Sequence, residues 1–228
     1  LNYWFARIAV LGTTITAWGQ FFISSYVADK KLSVDHLKYQ RIEIFFGAII
    51  TSFFSFMIAV AVSETLFQHN ITASDGYVAA LALRPLAGDL AQGLFAIGLF
   101  GASILGLTIV PLATAYVFSE LFGYEGSLDI DFKKGRIFYL FFTIQIILAV
   151  LIALVPQIGL FKLTLYVDFL NGAMLPLIFY FLIIFSESSG IMGEYASKGF
   201  AKYFLRTFAI LVSIMVIVSF IGKVFQIG

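Results

Sequence analysis

The sequence has no cysteine, only four prolines and two histidines, and charge on just 12% of its 228 residues. Without a thiol, neither a disulfide framework nor a thiolate-held zinc or iron–sulfur centre can form, and the redox compartment is left open. The histidines, His36 and His69, fall in loops with no second histidine or carboxylate at ligand spacing, so they read as solvated loop residues. Hydrolytic and nucleotide-binding signatures are absent too: there is no Gly-x-Ser-x-Gly, no His-Glu-x-x-His and no glycine-rich loop ending in lysine. An intramembrane protease would lack its usual base. The net charge of +1 and the pI near 8.1, with no basic stripe among aromatics, exclude a nucleic-acid footprint. Neither enzymatic activity nor a resident cofactor is expected. The chain opens on Leu1 with no signal-like segment before the first apolar stretch, and it reads as part of something longer.

What the sequence has instead is apolar bulk. Hydrophobic residues make up 61% of it and the mean hydropathy is +1.00, far from the roughly half-apolar, quarter-charged average of soluble domains. Spans of about 20 apolar residues are what a bilayer requires. Six fit, at 4–27, 42–66, 90–121, 137–155, 160–185 and 203–225, and the charge clusters fall between them. The expected class is therefore an all-α integral membrane protein, forming a single transmembrane domain over residues 1–228. In the long third span, Gly98, Ala102 and Gly106 recur every four residues, a small-residue face suited to helix packing. If the first interhelical loop is cytoplasmic, that side holds Lys30, Lys31, Lys38, Arg41, Lys133, Lys134, Arg136, Lys198, Lys202 and Arg206, ten of the 14 basic residues. Only Arg7, Arg84, Lys162 and Lys223 fall on the other side. The positive-inside rule then puts the C-terminus outside and has the first span entering from outside, a further sign of an odd number of spans upstream. Between the second and third spans, residues 77–86 suggest a short interfacial helix ending at Pro85.

Polar groups at membrane depth are costly and must be paired or useful. The densest set is Gly12-Thr13-Thr14-Ile15-Thr16-Ala17-Trp18-Gly19-Gln20, inside the first span. Glycines and hydroxyls weaken the helix here, and an interrupted helix offers free carbonyls and a half-helix end to a cation. The competing reading is that each threonine bonds back to the carbonyl one turn earlier. Asp168, followed by Asn171, Gly172 and Pro176, lies about two turns into the fifth span. There it either faces the interior, where it holds a cation or a proton, or reaches headgroup water. Its spacing with Asn171 and Leu175 places the three on one helix face. Gln145, a lone mid-span amide, is expected to bond a neighbouring helix.

The segment from Gly12 to Gln20, with Phe21, Phe22, Ser25 and Val27 beyond it, resembles the sixth helix of the Nramp (natural resistance-associated macrophage protein) divalent-metal transporters, in the bacterial magnesium- and manganese-type branch. The likeness extends through Leu81 to Gly88, the helix from Gly98 to Glu120, Asn171-Gly172 with Leu175-Pro176, and Met192-Gly193-Glu194-Tyr195. It implies a leucine-transporter-type inverted-repeat fold, with this chain as the second repeat plus one extra helix, helices six to eleven, in a bacterial inner membrane. The first-helix metal ligands of such transporters would lie upstream of Leu1. Resemblance also implies that the Thr13 carbonyl and Thr16 are metal ligands, where better-known relatives use a carbonyl and a methionine thioether. Gln20, Asp168 and Asn171 would belong to the surroundings of the site or the transport pathway. Oxygen in place of sulfur favours magnesium or manganese over softer late metals. Ala17 and Trp18 stand where those relatives carry a proline and the histidine associated with proton movement, and Asp168 stands where many carry glutamine. The function implied is secondary transport of manganese, iron or magnesium ions by alternating access. Two alternatives remain: a non-transporting membrane scaffold, and a sodium-coupled carrier of organic solutes with the same fold.

Overall fold

In lipid a chain must satisfy its own backbone, and for an open chain only helices do so. The computed structural model describes residues 3–68, 70–71, 75–82, 84 and 88–225, and every regular element among them is helical. The main helices are α1 (Tyr3–Thr14), α2 (Ala17–Asp29), α3 (Leu37–Val62), α4 (Gly76–Ala82), α5 (Ala91–Leu121), α6 (Arg136–Ala153), α7 (Leu160–Glu187) and α8 (Gly199–Val224). Among the described residues six stretches are long and apolar enough to cross a membrane: Tyr3–Asp29, Val34–Phe67, Gln92–Leu121, Arg136–Ala153, Leu160–Glu187 and Gly199–Gly222. Their number and positions match the expected spans, with ends shifted by up to four residues except the start of the second, which lies eight residues earlier, at Val34. α4 occupies the first part of the expected interfacial helix; Pro85, Leu86 and His69 lie outside the described residues.

The helices group into two compact units, one formed by the described parts of Leu1–Phe21 and Lys162–Gly228, the other by Phe22–Phe161. In the first unit, α1 buries Phe5, Ile8, Ala9 and Gly12, one face at helical spacing. Phe5 stacks on Phe169 of α7 at 4.6 Å and meets Tyr166 edge-on at 5.2 Å. Near the other helix, a Cβ on Gly222 of α8 would come within 2.5 Å of the Trp4 indole, so α8 accommodates that ring only by having no side chain there. Leu175 and Phe179 of α7 form the core with Ala209, Val212 and Val216 of α8, and Leu11 and Ile15 pack against it.

The tightest crossing in this unit is between α1 and α7. A Cβ on Gly12 would collide with the Asp168 carbonyl oxygen and lie 2.6 Å from the Gly172 nitrogen. A Cβ on Gly172 would in turn collide with the Ile8 carbonyl oxygen. Only glycine on both helices permits this main-chain contact.

In the second unit α5 packs along α6. Ala115, Tyr116 and Phe138 are its buried centre, with Phe22, Leu112, Tyr139, Phe141 and Phe142 around them. Gln145 donates to the Pro111 carbonyl of α5 at 3.3 Å and to Phe141 in its own helix at 2.7 Å, the neighbour-helix bond expected for it. Just past the end of α5, Gly123 has a φ of 74° that lets Tyr124 N–H reach the Ser119 carbonyl at 2.8 Å in a Schellman-type closure.

The close packing expected at Gly98, Ala102 and Gly106 finds no partner helix among the described residues. No atom lies within 4 Å of a Cβ placed on Gly98 or Gly106, and Ala102 is exposed. The contacts of α5 with α6 come instead from its C-terminal half, around Ala115 and Tyr116.

The two sets of glycines predict opposite mutational outcomes. Gly12→Ala or Gly172→Ala should destabilise the protein by about 2 kcal/mol or more, because rigid backbone must move apart. Gly98→Ala and Gly106→Ala should be neutral or slightly stabilising, helped by better helix propensity. Thermal unfolding midpoints in detergent will separate the two pairs; equal losses at all four positions would contradict the crossing.

Candidate functional site

A helix that stops inside a membrane span leaves the last carbonyls of one half and the first N–H groups of the other without helical partners. α1 ends at Thr14 and α2 starts at Ala17, so the interruption is Ile15–Thr16, in the middle of the polar segment. Ile15 N–H still reaches the Leu11 carbonyl at 3.0 Å, which makes Leu11 the last regular acceptor of α1. The carbonyls that follow, from Gly12 to Thr14, form the negative end of the α1 dipole, the end that attracts cations. Thr16 precedes α2 at its N-cap position. Its Oγ1 lies 2.7 Å from where a Cβ of Gly19 would stand, over the third residue of the helix.

The threonines divide into two kinds. Thr13 and Thr14 both donate to the Val10 carbonyl, at 2.8 and 2.9 Å, and both are exposed. Their hydroxyls do what back-bonding threonines do, weakening the last turn of α1, and only their carbonyls remain as candidate ligands. Thr16 is half-buried and lies in the break itself.

The glycine crossing brings α7 to the last turn of α1. The Asp168 main chain touches Gly12, so Asp168, Asn171 and Gly172 stand beside the turn that precedes the interruption. Asp168 and Asn171 are half-buried, flanking the buried face of α7 made by Gly172, Leu175, Ile178 and Phe179. Pro176 lies inside α7 and has no N–H to offer the Gly172 carbonyl four residues earlier. A further main-chain acceptor is thereby released from its regular helical bond next to the crossing. That consequence was available from the Gly172–Pro176 spacing, but its meeting with Gly12 was not. Gln20 is half-buried in the first turn of α2, beyond the break along the chain. Among the described residues no three acidic or histidine side chains cluster as a metal cage would.

Broken apolar helix, glycine crossing and flanking carboxylate together call for comparison with membrane transporters. The model of the family described as Natural resistance-associated macrophage protein-like matches residues 3–222. The chain belongs to the Nramp family. No curated protein matches it. Nramp proteins are transporters of divalent metal ions rather than enzymes, and this chain is accordingly an integral membrane protein of that transport class. The Nramp match runs through both half-helices and through α5 to α8, so it covers the interruption and the α7 crossing alike.

Because the Thr13 and Thr14 hydroxyls only duplicate bonds to Val10, Thr13→Val and Thr14→Val should each change stability by about 1 kcal/mol or less. Circular-dichroism melts in detergent will measure this. A loss several times larger for either would show that its hydroxyl has a second task.

Proposed function

We propose that the chain carries the second half of a divalent-cation pathway, and that the cation is held at the interruption between α1 and α2. The supporting observation is the break at Ile15–Thr16, inside a membrane span and one turn beyond a backbone crossing with the helix that bears Asp168. The Thr13 carbonyl and the Thr16 carbonyl or hydroxyl serve as ligands, while Asp168, Asn171 and Gln20 line the approach or bind the ion late in its passage. Helix-end carbonyls and hydroxyls are hard oxygen donors, so magnesium and manganese are the cargo they suit. Transport proceeds by alternating access within a leucine-transporter-type inverted-repeat fold, and the remaining ligands come from helices preceding this chain. The ion is cargo, not a resident cofactor. Charge asymmetry supports a C-terminus on the outer face of a bacterial inner membrane.

Manganese and magnesium flux into proteoliposomes, measured on the full-length protein, tests the assignment. Thr16→Val combined with Asp168→Leu should reduce uptake at least about tenfold, the range expected when groups that hold a metal are lost. Unchanged uptake by that double variant would sink the ligand assignment. Reduced thermal stability with intact flux would instead assign the polar segment to helix packing alone.

A further inference from the structure

The far end of α2 is fastened by polar contacts of its own. Asp29 is the last residue of the helix, and the chain then reverses through Lys31 at a φ of 51°, a left-handed conformation disfavoured by any residue with a Cβ. Leu32 N–H and Lys31 N–H close the turn on the Val27 and Ala28 carbonyls, at 3.2 and 3.0 Å. From this fixed end the Asp29 carboxylate reaches two other segments. Its Oδ2 accepts a hydrogen bond from the Tyr116 hydroxyl of α5 at 2.6 Å and one from Leu128 N–H, in the connection between α5 and α6, at 3.2 Å. Tyr116 is itself 1% exposed, edge-on to Phe138 at 5.1 Å and 6.3 Å from Phe22 of α2.

One turn beyond Tyr116, Ser119 is completely buried and its hydroxyl has no hydrogen-bond partner among the described residues. The connection lies against it: a Cβ on Gly126 would come within 3.1 Å of the Ser119 Cβ and 3.2 Å of the Phe138 ring. Beside this seal is a cavity of about 490 Å³ lined by Asp29, Lys31, Glu120, Glu125, Ser127 and Asp129 among others. Separating Asp29 from Tyr116 would therefore expose the freed groups to a space, partly lined by carboxylates, that water can enter, so the bond is strong when closed and can be replaced when open.

We propose that Asp29, Tyr116 and the Leu128 N–H form a latch on the end of α2, and that the latch opens each time α2 swings about the break at Ile15 and Thr16. This rests on the transport reading above. Tyr116 is then a positioning residue: it touches no cargo and holds the half-helix in one of its two placements. A helix pivoting at an interruption must release whatever fastens its distant end, and these charge-assisted bonds fasten that end.

The test uses the full-length protein in a background whose only cysteine is Ser119→Cys, a substitution close in size at a hydroxyl with no partner. The labelling rate by a small maleimide reports opening of the seal, and manganese flux in proteoliposomes reports the cycle. Tyr116→Phe, which keeps the ring and removes one donor, should raise labelling about tenfold and change flux by about threefold or more, in keeping with the loss of one charge-assisted hydrogen bond. In the Tyr116-containing parent, labelling should also be faster during manganese turnover than without the ion. Asp29→Asn should act in the same direction, and a second variant guards against misfolding of the first. Unaltered labelling in both variants, with melts matching the parent, would overturn the latch. Faster labelling with unaltered flux, in a parent that transports, would overturn its part in the cycle. A parent without flux would count against the transport reading alone, and the latch would then stand or fall on labelling.

Discussion

Two main chains in contact at Gly12 and Gly172 are the constraint on which the first unit depends. Helices normally keep 8–10 Å between their axes because side chains intervene; here neither helix has one at the point of contact. Contact at that depth places the last turn of α1 against a helix carrying a carboxylate and a proline, and sets the interruption immediately after it. Leu11 and Ile15, on either side of the crossing along the chain, pack on the Leu175–Phe179 core, so the backbone is held by apolar contacts just where its own hydrogen bonding lapses. A broken helix is tolerable in a membrane only when protein or a water-lined space receives its freed groups.

Much of the remaining surface is apolar and open, as the bilayer allows. None of the residues of α3 is buried, and the phenylalanines along it present their rings outward. With lipid as apolar as leucine, burying such side chains brings little, and association relies on close packing and polar bonds. The polar bonds accordingly gather near helix ends. Glu187, closing α7, pairs with Arg206 through both carboxylate oxygens and with Lys202 at 3.0 Å, tying α7 to α8. Asp29 ties α2 to Tyr116 of α5 in the same manner. Mid-helix, Gln145 joins α6 to α5 by donating to a carbonyl.

Length and hydropathy alone made the spans legible, because a bilayer imposes one length on every helix that crosses it. The interruption was legible as well, since two glycines and three threonines in nine residues weaken any helix in lipid. Less readable was the role of each threonine. Thr13, Thr14 and Thr16 are equivalent in composition, yet two bond back to Val10 and the third stands in the break itself. Small-residue spacing misled in one place and was silent in another. Gly98, Ala102 and Gly106 have the regular four-residue spacing and meet no helix among the described residues, whereas Gly12 and Gly172 are 160 positions apart in number and meet directly.

The sequence by itself therefore determined the solvent, the number of spans and the weak point of the first of them, since these follow from local composition measured against the thickness and dryness of lipid. Only the tertiary structure decided which glycine faces which, that Asp168 stands beside the last turn of α1, and that Asp29 reaches Tyr116. Such pairings depend on the angle and depth at which distant helices cross, and no property of one segment specifies the other.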